Sequence, residues 1–116
     1  MVEHHLTNTT WELTSGIDCP VGVTPTMHVD GDTISGFAGC NRYFGSVEIT
    51  IRGFRLTGPV GSTRMLCGPE CMQLEAEFLA RLDAARSWTR RGDELRLLDD
   101  ADVELLGMRH VPNEVQ

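Results

Sequence analysis

The sequence predicts a mainly β domain of the α+β class. The expected form is a curved antiparallel sheet, or a small partly closed β-barrel, with one packed α-helix. Three observations carry this reading. Apolar and polar residues alternate in several short runs, the pattern of strands with one buried and one wet face. Turn signals separate those runs after a few residues, so neighbours in sequence should pair antiparallel. One stretch, residues 69–84, changes to a three- and four-residue apolar period. About seven or eight short strands with a single helix fit a sheet that curls on itself and is covered at an open end.

Taken in order, residues 1–9 read as a polar tail, in which His4-His5 is too short for a metal-binding tract. Thr10-Trp11-Glu12-Leu13-Thr14 alternates as a half-buried strand, with Trp11 and Leu13 inward. Residues 15–25, with two glycines and two prolines, read as a loop that holds Cys19. Met27 and Val29 alternate with His28 in a second strand, which places His28 on the outer face. Asp30-Gly31-Asp32 is a hairpin signal of type I′, and Thr33–Phe37 returns. Ser46–Arg52 is the cleanest alternation, with Val47, Ile49 and Ile51 on one face. Gly53 turns the chain and Phe54-Arg55-Leu56 pairs back. Gly58-Pro59-Val60-Gly61 reads as irregular, since proline belongs at an edge or bulge.

Pro69 is suited to the first turn of a helix, and Glu70 favours its dipole there. Cys71, Leu74, Phe78, Leu82 and Ala85 then share one helical face, opposite Gln73, Glu77 and Arg81. Ser87-Trp88-Thr89 resumes strand character, Gly92-Asp93 turns it, and Leu95-Arg96-Leu97 returns. Asp99 and Asp100 turn again, Val103-Glu104-Leu105 closes the sheet, and 109–116 read as a second loose tail. No internal repeat and no linker divides the chain. Its 116 residues therefore read as a single domain over 1–116, with a core at about 10–108 and flexible tails either side.

The net charge of −7, with no lysine, argues against non-specific nucleic-acid binding, which depends on neutralising phosphates. No apolar run is long enough to span a bilayer. The first residues lack the basic start and apolar middle of a signal peptide, so the chain as written reads as cytoplasmic.

Few residues could carry chemistry. The histidines give no Ser-His or Cys-His pairing of the kind a nucleophile requires, so no catalytic residue is nominated and the chain reads as a non-enzyme. Asp99, Asp100 and Asp102 supply too few oxygens for calcium. Gly58–Thr63 lacks the lysine of a phosphate-cradling loop, and no cofactor is implied. Four cysteines allow three full pairings. Cys67 and Cys71 stand four apart at the helix start, but no Cys-x-x-Cys knuckle marks a zinc site. Disulfides, reduced thiols, and a redox or metal site using Cys40, Cys67 and Cys71 all stay open. Arg64 could grip a carboxylate ligand or pair with Glu75 or Glu77. Asn41 could face a ligand, though bonding to local backbone is the expected role.

Two stretches give the chain its character. In Gly36-Phe37-Ala38-Gly39-Cys40-Asn41-Arg42-Tyr43-Phe44-Gly45, Gly39-Cys40-Asn41 reads as a sharp, internally bonded corner between two strands, with positive φ expected at Gly39. Ser62-Thr63-Arg64-Met65-Leu66-Cys67 leads into the helix. Together with Trp11-Glu12-Leu13, Glu75–Phe78 and Leu95-Arg96-Leu97, in this order, they resemble the META domain, or HslJ, family. The resemblance makes Gly36, Gly39, Cys40, Asn41, Gly45, Thr63, Arg64, Met65 and Cys67 signature positions. It implies a β-rich domain. If the two signature stretches meet in space, Cys40 and Cys67 should bond. Many relatives look like envelope or secreted proteins, so it also implies a cell envelope or secreted setting if an export segment has been removed. The expected function is a stress- or envelope-associated binding or scaffold module of unknown partner. The alternatives are a carrier of a small apolar ligand, with a cavity lined by Trp11, Phe37, Val47 and Trp88, and a thiol-redox or metal protein.

Overall fold

A computed structural model describes residues 6–112. Alternating sequence becomes strand along nearly the whole chain: β1 (Thr9–Ser15), β2 (Thr26–Asp30), β3 (Thr33–Phe37), β4 (Arg42–Ile49), β5 (Phe54–Leu56), β6 (Gly61–Ser62), β7 (Ser87–Arg91), β8 (Glu94–Leu98) and β9 (Glu104–Val111). The helix, α1, spans Pro69–Ala84, the stretch its apolar period predicts. The strands are ordered β5-β4-β3-β2-β1-β9-β8-β7, with β6 paired to β4, and every pairing is antiparallel. Strands consecutive in sequence make most neighbours, β1 and β2 across the longer loop 16–25; the exceptions are β6, which pairs with β4, and β9, which returns beside β1 and joins the two ends of the chain.

The sheet closes almost completely, because its two outer strands meet. A bridge pairs Gly53 with Ser87. Beside it, Phe54 N donates to Arg86 O at 3.0 Å and Trp88 N to Arg52 O at 3.1 Å. The Trp88 indole N–H adds a bond to Thr50 O at 3.0 Å. Closure satisfies backbone groups that an open edge would present to other chains.

The inner face is packed with apolar side chains. Trp11, Met27, Ile34, Tyr43, Val47, Phe54, Leu95, Leu97, Leu106 and Met108 are all buried. Leu74, Phe78 and Leu82 turn the apolar face of α1 toward the sheet and are buried as expected. Phe78 meets the Tyr43 ring edge-on at 5.7 Å between centroids. The Tyr43 hydroxyl donates to Thr26 O at 2.7 Å, and burial pushes its pKa above the usual phenolic value. Near its C-terminal end the helix is tied down where Arg81 Nη1 donates to Leu105 O at 3.0 Å.

Several expectations need correction. Leu6 is not part of a loose tail: it is fully buried in the core. Residues 109–111 likewise belong to β9, where Arg109, His110 and Val111 pair with Glu12, Trp11 and Thr10. Pairing with a central strand outweighs the polar composition there. Residues 1–5 and 113–116, with His4 and His5, lie outside the described residues. The strand expected at Ser46–Arg52 instead begins at Arg42 and stops at Ile49, so Ile51 stands 66% exposed in a turn. Thr50 and Gly53 close that turn, with Thr50 N donating to Gly53 O. In the Asp30–Thr33 hairpin, Gly31 has positive φ and Asp32 does not. This departs from type I′, which needs both central residues positive. The irregular segment before the helix contains one short strand, β6, which pairs Tyr43 with Ser62.

Candidate functional site

The two signature stretches meet at the N-terminal half of α1. The corner between β3 and β4 is closed by Ala38 N donating to Asn41 O at 2.9 Å. Gly39 has φ +124° there, as its sequence predicts. A Cβ at this position would also lie 3.0 Å from Leu74 Cγ, so the absent side chain lets the helix approach. Gly36 serves the same purpose in β3, where a Cβ would stand 2.3 Å from Thr26 O. Gly45 lies in β4 beside Val60.

Glu75 holds the corner from the helix. Its Oε1 accepts from Cys40 N at 3.2 Å and from Asn41 N at 2.6 Å. Its Oε2 accepts from Asn41 Nδ2 at 3.0 Å. Asn41 then binds the arm formed by Thr63–Cys67. Its Oδ1 accepts from Met65 N at 2.6 Å and Thr63 Oγ1 at 3.0 Å, and its Nδ2 donates to Met65 O at 3.4 Å. Asn41 is 3% exposed, the sole buried polar side chain among the described residues. It does bond backbone, but the backbone is that of Met65, far along the chain, and not its own corner.

A disulfide links Cys40 to Cys67, with Cα atoms 6.0 Å apart. This staples the arm to the corner a second time. Thr63 N also donates to Arg42 O at 3.0 Å. The arm is fixed by these bonds, yet its side chains face out: Met65 is 58% exposed and Leu66 92%.

Arg64 does not pair with Glu75 or Glu77. Glu75 is engaged by the corner, and Glu77 lies 3.8 Å from Arg81. Arg64 is exposed and has no ion pair among the described residues. Cys19 and Cys71 are free thiols. Cys40, Cys67 and Cys71 therefore do not form a three-thiol site, since two of them are consumed in the disulfide. Among the described residues no three His, Cys, Asp or Glu side chains gather closely enough to hold a metal ion. Burial, and then the charge of Asp18, push the Cys19 thiol above its ordinary pKa. His28 lies on the outer face, half-buried, with Nδ1 2.8 Å from Thr10 Oγ1.

The residues nominated to line an apolar cavity are otherwise occupied. Trp11, Val47 and Trp88 are packed in the core at 0–8% exposure, and Phe37 is only partly buried. A groove of about 830 Å³ lies instead outside the barrel, between α1 and the loop after β1. Its walls include Ile17, Asp18, Glu70, Leu74 and Glu77.

Sequence reasoning offered Glu75 only as a possible partner of Arg64 and missed its role at the corner. The signal for it exists: a half-buried carboxylate beside the apolar stripe Cys71–Leu74–Phe78–Leu82 calls for a polar partner. The corner amides are that partner.

Fold and site together define a small antiparallel β-barrel with one covering helix and a stapled corner. The META domain family model matches residues 4–111, and the chain belongs to that family. A protein from Burkholderia xenovorans, solved by NMR, has the same fold: TM-score 0.74, 25% identity, 93% of this chain and 85% of that one. A second NMR structure matches with TM-score 0.67 and 20% identity over 90% of each chain. No curated protein matches the chain. Among the described residues no helix is long and apolar enough to cross a membrane.

Proposed function

We infer that the chain is a non-catalytic binding or scaffold module, and that its recognition surface is the stapled arm. One observation carries this reading. Asn41, Glu75 and the Cys40–Cys67 disulfide fix the backbone of Met65 while its side chain and that of Leu66 stay in solvent. A preorganised apolar display avoids the ordering cost of binding. The signature residues then have a common purpose. Gly36 and Gly39 allow close approach, Thr63 and Asn41 hold the arm, and Arg64 and Met65 meet the partner. Family membership and the disulfide support an envelope or secreted setting, because such bonds persist in oxidising compartments. The stress-associated, HslJ-like role is part of the same proposal.

Site-specific photo-crosslinking in cells tests it. A photoreactive residue at Leu66 should give discrete adducts, and the same residue at Val103, also exposed, should not. Equal labelling at both sites, or none at Leu66, would remove the arm as a recognition surface.

A further inference from the structure

We propose that the chain self-associates by a reciprocal contact in which the Arg64-Met65-Leu66 arm of each copy enters the groove beside α1 of the other. The proposal rests on the reading of the arm as a binding surface and names its partner as a second copy. Charge and shape support this pairing. The arm offers two exposed apolar side chains, Met65 and Leu66. They lie beside Arg42 and Arg64, which have no ion pair among the described residues. The groove offers the complement: Asp18 and Glu70, with Glu77 shared with Arg81, around a half-buried Ile17, and no arginine in its lining. Its volume of about 830 Å³ is within the range that bound ligands fill. The arm runs directly into α1, whose first turn carries Glu70 into the groove wall. Arm and groove are thus neighbours, as a reciprocal contact about a two-fold axis near the helix start requires. Such an isologous contact closes as a dimer and does not run on as a fibre.

Sedimentation velocity of the full chain over a concentration series tests the proposal. The dimer fraction should rise with concentration. Leu66→Glu and Arg64→Glu should each weaken self-association by ~10-fold or more, with unchanged thermal midpoints at concentrations where the chain is monomeric, because both side chains are exposed. Glu70→Arg should do the same. Mixing Arg64→Glu with Glu70→Arg should restore association, since both contacts are complementary again in the heterodimer. A chain that stays monomeric up to ~1 mM, or a dimer indifferent to Leu66→Glu, overturns the proposal. So does a monomer that binds anionic phospholipid vesicles through the same arm. A monomer that still gives specific adducts at Leu66 in cells sinks the dimer and leaves the binding reading intact.

Discussion

Asn41 uses every polar group it has. Its N–H and Nδ2 donate to Glu75, its carbonyl accepts from Ala38, and its side-chain oxygen accepts from Thr63 and Met65. Removing one partner from such a buried network leaves the others unsatisfied, which costs more than the bond itself. Glu75→Ala should therefore destabilise the domain by roughly 1.5–3 kcal/mol, measured by urea unfolding. Gly39→Ala should cost on the order of 1 kcal/mol or more. The new methyl would add both a disallowed φ and a contact with Leu74. A thermal melt with no loss would remove the backbone argument. Cys19 gives a test of local electrostatics. Its raised pKa means less thiolate at neutral pH, so its alkylation rate should reach half-maximum at a higher pH than that of an unperturbed thiol.

At the scale of elements, α1 joins core to site. Leu74, Phe78 and Leu82 cover the sheet, while Glu75, one step round, holds the corner. Phe78 is fully buried against Tyr43, so Phe78→Ala should cost ~3–5 kcal/mol, enough to threaten a marginal domain. It should also loosen the corner, visible as faster hydrogen exchange at the Cys40 and Asn41 amides. Full stability in that variant would mean that the helix does not anchor the barrel. The long strand β9 has a different part. It pairs with β1 on one side and β8 on the other, and so joins the two halves of the chain.

At the scale of the molecule, two features tie together parts far apart in sequence. One is the seam where Trp88 meets Thr50 and Arg52. The other is the Cys40–Cys67 disulfide, which closes a loop across a separation of 27 residues. In the chain-entropy model a loop of this size contributes roughly 3–4 kcal/mol. Reduction, or Cys40→Ala with Cys67→Ala, should lower the stability by about that amount. The arm should stay docked through Asn41, so the Met65 amide should keep part of its exchange protection. If reduction leaves the unfolding midpoint unchanged, the staple has no thermodynamic weight.

Features set by local period and local chemistry were legible along the chain. Period-two runs marked most strands, the 3.6-residue period placed α1 at Pro69–Ala84, and the Gly39 corner announced its positive φ. Gly31 and Gly92, which also have positive φ, marked their turns for the same reason, because backbone sterics act within a few residues. The rest depends on contacts made after the chain has folded. Leu6 and the 109–111 segment look like tails until a core and a partner strand exist to bury or pair them. Ile51 fits the inner-face pattern, yet the turn takes it out of the strand. The sequence offered Glu75 only Arg64 as a partner, and the structure gives it amides more than thirty positions away instead. The amides won because the corner and the helix are packed together. Long-range contacts leave no periodic trace along the chain, and the stapled arm is made of them.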